Sequence, residues 1–195
     1  MERVGPGRAL KIVAPFAAVG VCWCWLESGW ATLLCYHGMI LLLADGPPRL
    51  SSLDWRFARL WPAAPACLAG PLVYLLLPEM TRTDLFEWLA RYGLDGVGLI
   101  LIVPYYGLVH PVLEQLHWRG LRSLSPLSHL AFASYHIPVI AGLLRLPWLA
   151  AFFAVLAASS AWWRLLERRS SATPAPLISH VLADAGVIVA ALARS

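Results

Sequence analysis

The apolar positions of the chain fall into long runs separated by charges and helix breakers, at 12–26, 28–44, 60–77, 96–113, 123–144, 146–163 and 173–193. A tilted helix needs roughly 17 to 25 apolar residues to cross a bilayer. The pattern therefore predicts an all-α polytopic membrane protein with about seven transmembrane helices in one bundle. The first run is short and spans only if Arg8 and Lys11 snorkel to the interface. With Arg3 it resembles a signal peptide, but no small-residue cleavage site follows, and it is read as the first membrane helix. Pro104 and Pro111 in the fourth run and Pro138 in the fifth predict kinks, which a bundle tolerates when neighbours satisfy the freed carbonyls. Asp45-Gly46-Pro47-Pro48 reads as a turn and 170–176 as the longest irregular connector. Between the third and fourth runs, Leu85, Trp88, Leu89 and Tyr92 recur at helical spacing within 82–91, as in an amphipathic interfacial helix.

Composition sharpens this reading. Of 195 residues, 59% are hydrophobic and only 13% charged, against about 25% charged in soluble proteins. The chain reads as one domain, 1–195. No basic stretch with interleaved aromatics points to nucleic acid. Cys22, Cys24, Cys35 and Cys67 lack redox or zinc spacing and read as small buried hydrophobes. With the N-terminus inside, Arg3, Arg8, Lys11, Arg49, Arg56, Arg59, Arg119, Arg122, Arg164, Arg168 and Arg169 fall on the inner side. Only Arg82, Arg91, Arg145 and Arg194 then remain outside. The positive-inside rule thus predicts N-in and C-out, and residue usage suggests a bacterial inner membrane.

Against this background the few ionisable residues inside the runs stand out, because each costs about 2.5 to 3.5 kcal/mol near the centre of a membrane helix. Glu114 lies about 8 to 12 Å in from the charges Arg119 and Arg122 at helical rise. His136 lies within the fifth run, and His180 and Asp184 in the first half of the seventh. Phe132 and His136, like His180 and Asp184, are four apart and share a helix face. A carboxylate and an imidazole sharing a water can remove its proton. A second imidazole with a polar neighbour can stabilise the oxyanion formed when water attacks an amide. Ser134 and Ser179 have no recognisable triad and read as helix-packing residues.

The segments E-Q-L-H-W-R (114–119), F-A-S-Y-H (132–136) and H-V-L-A-D (180–184) follow the order E-E-x-x-x-R, F-x-x-x-H, H-x-x-x-N. In this the chain resembles the CAAX protease and bacteriocin-processing family of intramembrane glutamic proteases over roughly 111–190, with a family-like core at about 96–193. The resemblance implies that Glu114 and His136 activate water, that His180 and Asp184 support the oxyanion, that Arg119 holds the carboxylate region and that Phe132 packs the site. It implies no cofactor and no metal. Gln115 replaces the second acid of the first motif and can supply its hydrogen bonds but not its charge. Asp184 replaces the usual Asn; an ionised Asp would repel an oxyanion, so it is read as orienting His180.

The resulting expectation is an intramembrane endopeptidase. Its partners would be the lipid bilayer and a membrane-embedded or lipidated protein or peptide, with removal of C-terminal sorting anchors as one candidate task. A zinc or iron enzyme is the nearest rival, because His110, Glu114 and His117 fall at helical spacing and could join His136 and His180. Pro111 is expected to bend His110 away, and His117 to be a variable position. His37 and His129 read as satisfied polar residues. A proton-coupled transporter or a non-catalytic peptide-binding protein is the other class, although no inverted repeat is visible.

Overall fold

The computed structural model describes residues 6–44, 53–123, 125–170 and 173–195. The turn expected at 45–48, Arg3, Arg49 and part of the 170–176 connector lie outside them. The described residues are all-helical, with one isolated antiparallel bridge, Thr81 to Leu144, and no strand. In order they form α1 (Pro6–Ala18) running into a π-helical stretch (Val19–Trp25), α2 (Gly29–Leu42) and α3 (Phe57–Leu60). A 3-10 stretch (Trp61–Leu68) then leads into α4 (Ala69–Met80), followed by α5 (Leu85–Arg91) and α6 (Gly96–Pro104). A second π-helical stretch (Tyr105–Val109) joins α6 to α7 (His110–Leu121), and α8 (Leu127–Ile140), α9 (Leu146–Arg169) and α10 (Ala175–Arg194) complete the chain.

Among the described residues, four helices are long and apolar enough to cross a membrane: Trp61–Met80, Gly96–Leu121, Leu146–Arg169 and Ala175–Arg194. The first, second and fifth apolar runs form shorter helices. Leu42, Trp25, Leu146, Val97 and Ile100 are all more than 70% exposed. Apolar surface of this extent on long helices fits contact with lipid tails. Cys22 is buried, but Cys24, Cys35 and Cys67 are exposed, contrary to the expectation that all four lie in the core: they sit on the outward faces of their apolar helices.

The expected interfacial helix is α5. Asp84 starts it, its Oδ1 accepting from the amides of Phe86 at 2.8 Å and Glu87 at 3.0 Å, which satisfies two donors of the first turn. Leu85 and Tyr92 are buried, and Tyr92 stacks on Trp23 at 3.7 Å. Beside it, Arg82 donates to the carbonyl of Ala141 at 2.7 Å and Thr83 to that of Gly142 at 3.0 Å. These bonds occupy carbonyls left open at the end of α8. The connection carrying Glu27 is tied to α5, with Arg91 bonded to Glu27 and holding its carboxyl below the usual carboxylate range.

The prolines of the fourth run act through helix geometry. Pro111 has no N–H to offer the carbonyl four residues back, and its ring crowds that carbonyl. The chain widens to a π-helical stretch immediately before it, with the amide of His110 bonding the carbonyl of Tyr105. Stretches of this kind turn the residues that follow onto a new face and recur at functional sites. The widened segment lies against α10, where a side chain on Gly107 would come within 3.2 Å of the Ala185 Cα. One residue on, α10 meets α4 so closely that a Cβ on Gly70 would sit 2.9 Å from the Gly186 carbonyl oxygen. Small residues allow this approach, and the seam fixes α10 against the helix that carries Glu114.

Gly70→Ala is therefore expected to destabilise the detergent-solubilised protein by about 1 to 3 kcal/mol, the usual cost of overpacking. Gly38→Ala, which meets no atom within 4 Å, is expected to be stabilising by roughly 0.5 to 1 kcal/mol through backbone entropy. Thermal unfolding of the two variants side by side measures the contrast.

Candidate active site

Glu114 is 0% exposed, and its surroundings come from four helices. Its Oε1 accepts from the Tyr36 hydroxyl of α2 at 3.1 Å. Tyr36 is in turn held by the Trp118 indole N–H at 3.0 Å. The other oxygen, Oε2, has no hydrogen-bond partner. Three imidazoles face it instead: His180 Nε2 at 3.4 Å, His110 Nε2 at 3.5 Å and His136 Nε2 at 3.9 Å. Asp184 Oδ2, also without a hydrogen-bond partner, lies 3.4 Å from the same His180 nitrogen. The structure thus brings together Glu114, His136, His180 and Asp184, the four residues singled out by spacing and resemblance.

Phe132, fully buried, forms the floor. Its ring lies 5.6 Å from Trp118, 5.0 Å from His136 and 5.7 Å from Trp163. Its carbonyl also accepts from His136 Nδ1–H at 2.8 Å, which leaves the lone pair of Nε2 toward Glu114. Trp163 stacks on His180 at 4.8 Å and donates to Ser179 at 2.6 Å. Ser179 therefore serves the packing of the site, donating in turn to the Pro176 carbonyl at 3.1 Å.

Gln115 is clamped by groups that dictate its orientation. Arg122 Nη2 donates to Gln115 Oε1 at 2.6 Å, so the amide nitrogen faces the other way. There it donates to the Pro176 carbonyl and to His180 Nδ1, both at 3.2 Å. A nitrogen that accepts is unprotonated in neutral imidazole, so the proton of His180 sits on Nε2, facing Glu114 and Asp184. The amide at position 115 thus selects the His180 tautomer from the second layer.

Several expectations are corrected here. Arg119 was expected to hold the carboxylate region; that guanidinium is 39% exposed and 3.9 Å from Glu167, while Arg122 bonds both Gln115 and Glu167, each at 2.6 Å. Arg122 is 2% exposed, and at seven residues from Gln115 it lies two helical turns along the same face. His110 was expected to be bent away, but the π-helical stretch turns it inward, stacked on Tyr106 at 4.8 Å. His37 is a satisfied polar residue, as expected, and its partners place it behind the site: it bonds His110 Nδ1 through Nε2 at 3.0 Å and Tyr105 through Nδ1 at 2.7 Å. His117 stands apart, its Nε2 bonding the Lys11 carbonyl at 2.9 Å, and His129 pairs with Ser160 at 2.9 Å. Glu167 was missed altogether. Its signal in the sequence is that it is the one acid in a basic helix end, Arg164 to Arg169.

Beside Gln115 a cavity of about 30 Å³ is lined by Val112, Leu116, Glu167, Pro176 and Leu177 among others, large enough for one water. The arrangement is suited to binding and polarising a small molecule at Glu114 Oε2. Compared with protein-family models, curated proteins and solved structures, the chain matches none.

Removing Arg122 would leave Glu167, whose side chain is 5% exposed, buried without its closest cation. Arg122→Ala is expected to destabilise the protein by about 3 to 5 kcal/mol, as for other broken buried pairs. Arg119→Ala, at a half-exposed contact, is expected to cost less than about 1 kcal/mol. Equal losses in denaturant unfolding of the two variants would restore Arg119 to the role it was first given.

Proposed function

We propose that the chain is an integral membrane hydrolase, an endopeptidase that cuts a membrane-anchored or lipid-modified substrate inside the bilayer. The observation that carries this reading is the fully buried Glu114 carboxylate, with Oε2 unbonded and faced by imidazoles from three helices within 3.9 Å. A buried carboxylate oxygen without a hydrogen bond is costly and is retained where it acts on something that arrives.

In the proposed reaction a water sits between Glu114 Oε2 and His136 Nε2. Glu114 takes one proton as the water oxygen adds to the peptide carbonyl carbon. His180, with its proton on Nε2, donates to the resulting oxyanion, and Asp184 orients that imidazole. The carbon–nitrogen bond then breaks, and Glu114 returns the proton to the departing amine, so no covalent enzyme intermediate forms. The resemblance to the CAAX protease and bacteriocin-processing family supports the same assignment of Glu114, His136 and His180.

The seven apolar runs, four of them in helices of full spanning length, support seven spans. The arginine distribution supports N-in and C-out in a bacterial inner membrane. A site enclosed by apolar helices favours a substrate that arrives through the lipid, such as a protein held by one C-terminal helix and a basic tail. The nearest candidates are proteins of that form encoded beside this chain.

Glu114→Gln keeps the shape and removes the base, and is expected to lower cleavage of such a reporter in proteoliposomes by about 10²- to 10⁴-fold, the usual weight of general base catalysis. His136→Ala should fall comparably, and His117→Ala should stay within about twofold. Mass spectrometry of substrate C-termini reads the result, and processing that survives Glu114→Gln removes this function from the protein.

A further inference from the structure

We propose that His110, Glu114 and His136 form a binding site for one divalent transition-metal ion of the zinc type. Their donor atoms, one from each residue, all lie within 4.8 Å of one another. Tetrahedral ligands at about 2.0 to 2.1 Å from zinc stand roughly 3.4 Å apart. The measured separations from Glu114 Oε2 are 3.5 Å to His110 Nε2 and 3.9 Å to His136 Nε2. Binding therefore asks for a contraction of up to about 1.4 Å at the widest pair, which stands within 4.8 Å.

Hydrogen bonding argues for a cation at this point. His136 Nδ1–H is committed to the Phe132 carbonyl, so Nε2 presents a lone pair. The chain from His110 Nδ1 to His37 Nε2, and from His37 Nδ1 to the Tyr105 oxygen, runs outward when each imidazole donates from Nδ1, leaving a lone pair on His110 Nε2 as well. No hydrogen bond reaches Glu114 Oε2, in keeping with that polarity. Three acceptors then converge on one buried point. His180 Nε2–H faces Glu114 Oε2 at 3.4 Å without hydrogen bonding to it, and a divalent ion would engage all three lone pairs at once.

The outer layer has the form of a metal site. Each imidazole is fixed through its far nitrogen, the pattern that orients ligating histidines. The local charge also calls for a cation, since Glu114 and Asp184 both approach His180 while Arg122 is committed to Glu167 and Gln115. His180 itself is no ligand here: its Nε2 carries the hydrogen because Gln115 donates to Nδ1, and it lies outside the three-donor group. Three protein ligands leave the fourth position open, as in catalytic rather than structural zinc sites. The inference rests on the hydrolase reading for its purpose and changes one role within it: with Glu114 Oε2 and His136 Nε2 on the ion, the water would occupy the open fourth position, and the ion rather than Glu114 would activate it by lowering its pKa to about 7.

The test uses the full-length protein in detergent, stripped with chelator and titrated with Zn²⁺, and with Co²⁺ as a visible probe. One ion per chain is expected, with Co²⁺ bands of a four-coordinate site and, in X-ray absorption, two imidazoles and one carboxylate at about 2.0 to 2.2 Å. His110→Ala and His136→Ala should each weaken binding at least 100-fold, and His37→Ala by about 10- to 100-fold as an outer-layer partner. His117→Ala should bind unchanged. Should the histidine variants fail to fold, the absorption spectrum of the unmutated protein decides by itself. Absence of stoichiometric binding, or a ligand set without two imidazoles, overturns the metal site. Peptide cleavage by metal-free protein would overturn it while leaving the hydrolase reading intact. Metal binding without cleavage of any membrane-anchored substrate would do the reverse.

Discussion

Burying one carboxylate is the constraint around which this bundle is arranged. Glu114 has no contact with solvent, and a charge or strong dipole at that depth must be met by polar groups from elsewhere in the chain. No single helix can supply them, since its own backbone groups are committed to its ladder. Tyr36 therefore comes from α2, His136 from α8 and His180 from α10, while His110 comes from one turn earlier on α7. Convergence at this range requires close backbones, and the Gly70–Gly186 and Gly107–Ala185 contacts allow it on the side of α10. On the other side Trp118 and Phe132, both fully buried, close the packing. Polar site and apolar seam are two results of one requirement.

The two ends of the polar system are chemically different. Toward Arg122 the hydrogen bonds run from Arg122 to Gln115 at 2.6 Å and on to Pro176 and His180 at 3.2 Å, with Arg122 Nε and Nη1 and Glu167 Oε2 left without hydrogen-bond partners. This explains Gln115 where the resembled family has a second acid. Arg122 donates to the oxygen of Gln115, while the Gln115 amide nitrogen joins Ser179 in donating to the Pro176 carbonyl; a carboxylate at 115 would meet that carbonyl as a second acceptor. An amide has a donor end and an acceptor end, and both are used. Toward Asp184 the distances lengthen to 3.4 Å and two carboxylate oxygens remain without hydrogen bonds. The Gln115 end sets the His180 tautomer, and the Asp184 end, where Glu114 Oε2 faces the imidazoles, is where an incoming group can be bound.

The sequence made four site residues legible because four-residue spacing is a property of one helix: Phe132 with His136, and His180 with Asp184, share faces whatever the tertiary structure. Apolar run lengths likewise located the long helices. It failed where the face is set by something other than regular pitch. His110 was misjudged because Pro111 was expected to tilt the helix, whereas the structure absorbs its effect in a widened turn that rotates the histidine inward. Arg119 was named because it falls on the arginine of the first motif, but it is Arg122, one turn further, that reaches Glu167, a partner 45 residues away. His37 and Tyr105 lie on different helices, and no periodicity relates residues whose contact is created by packing.

The exposures within the site show how it communicates with its surroundings. Glu114, His110 and His180 have side chains 0%, 5% and 5% exposed, whereas His136 reaches 12% and Asp184 17%. The more accessible pair lies further along α8 and α10, away from Arg122, on the side where hydrogen bonding is unfinished. The small cavity beside Gln115 lies at the opposite end and has room for water but not for a polypeptide. Under the proposed function a peptide bond would come to Glu114 past His136 and Asp184, while the Gln115 end has room for water alone. That division suits a hydrolytic site in lipid, because the nucleophile and the substrate have opposite solubilities and need not share an entrance.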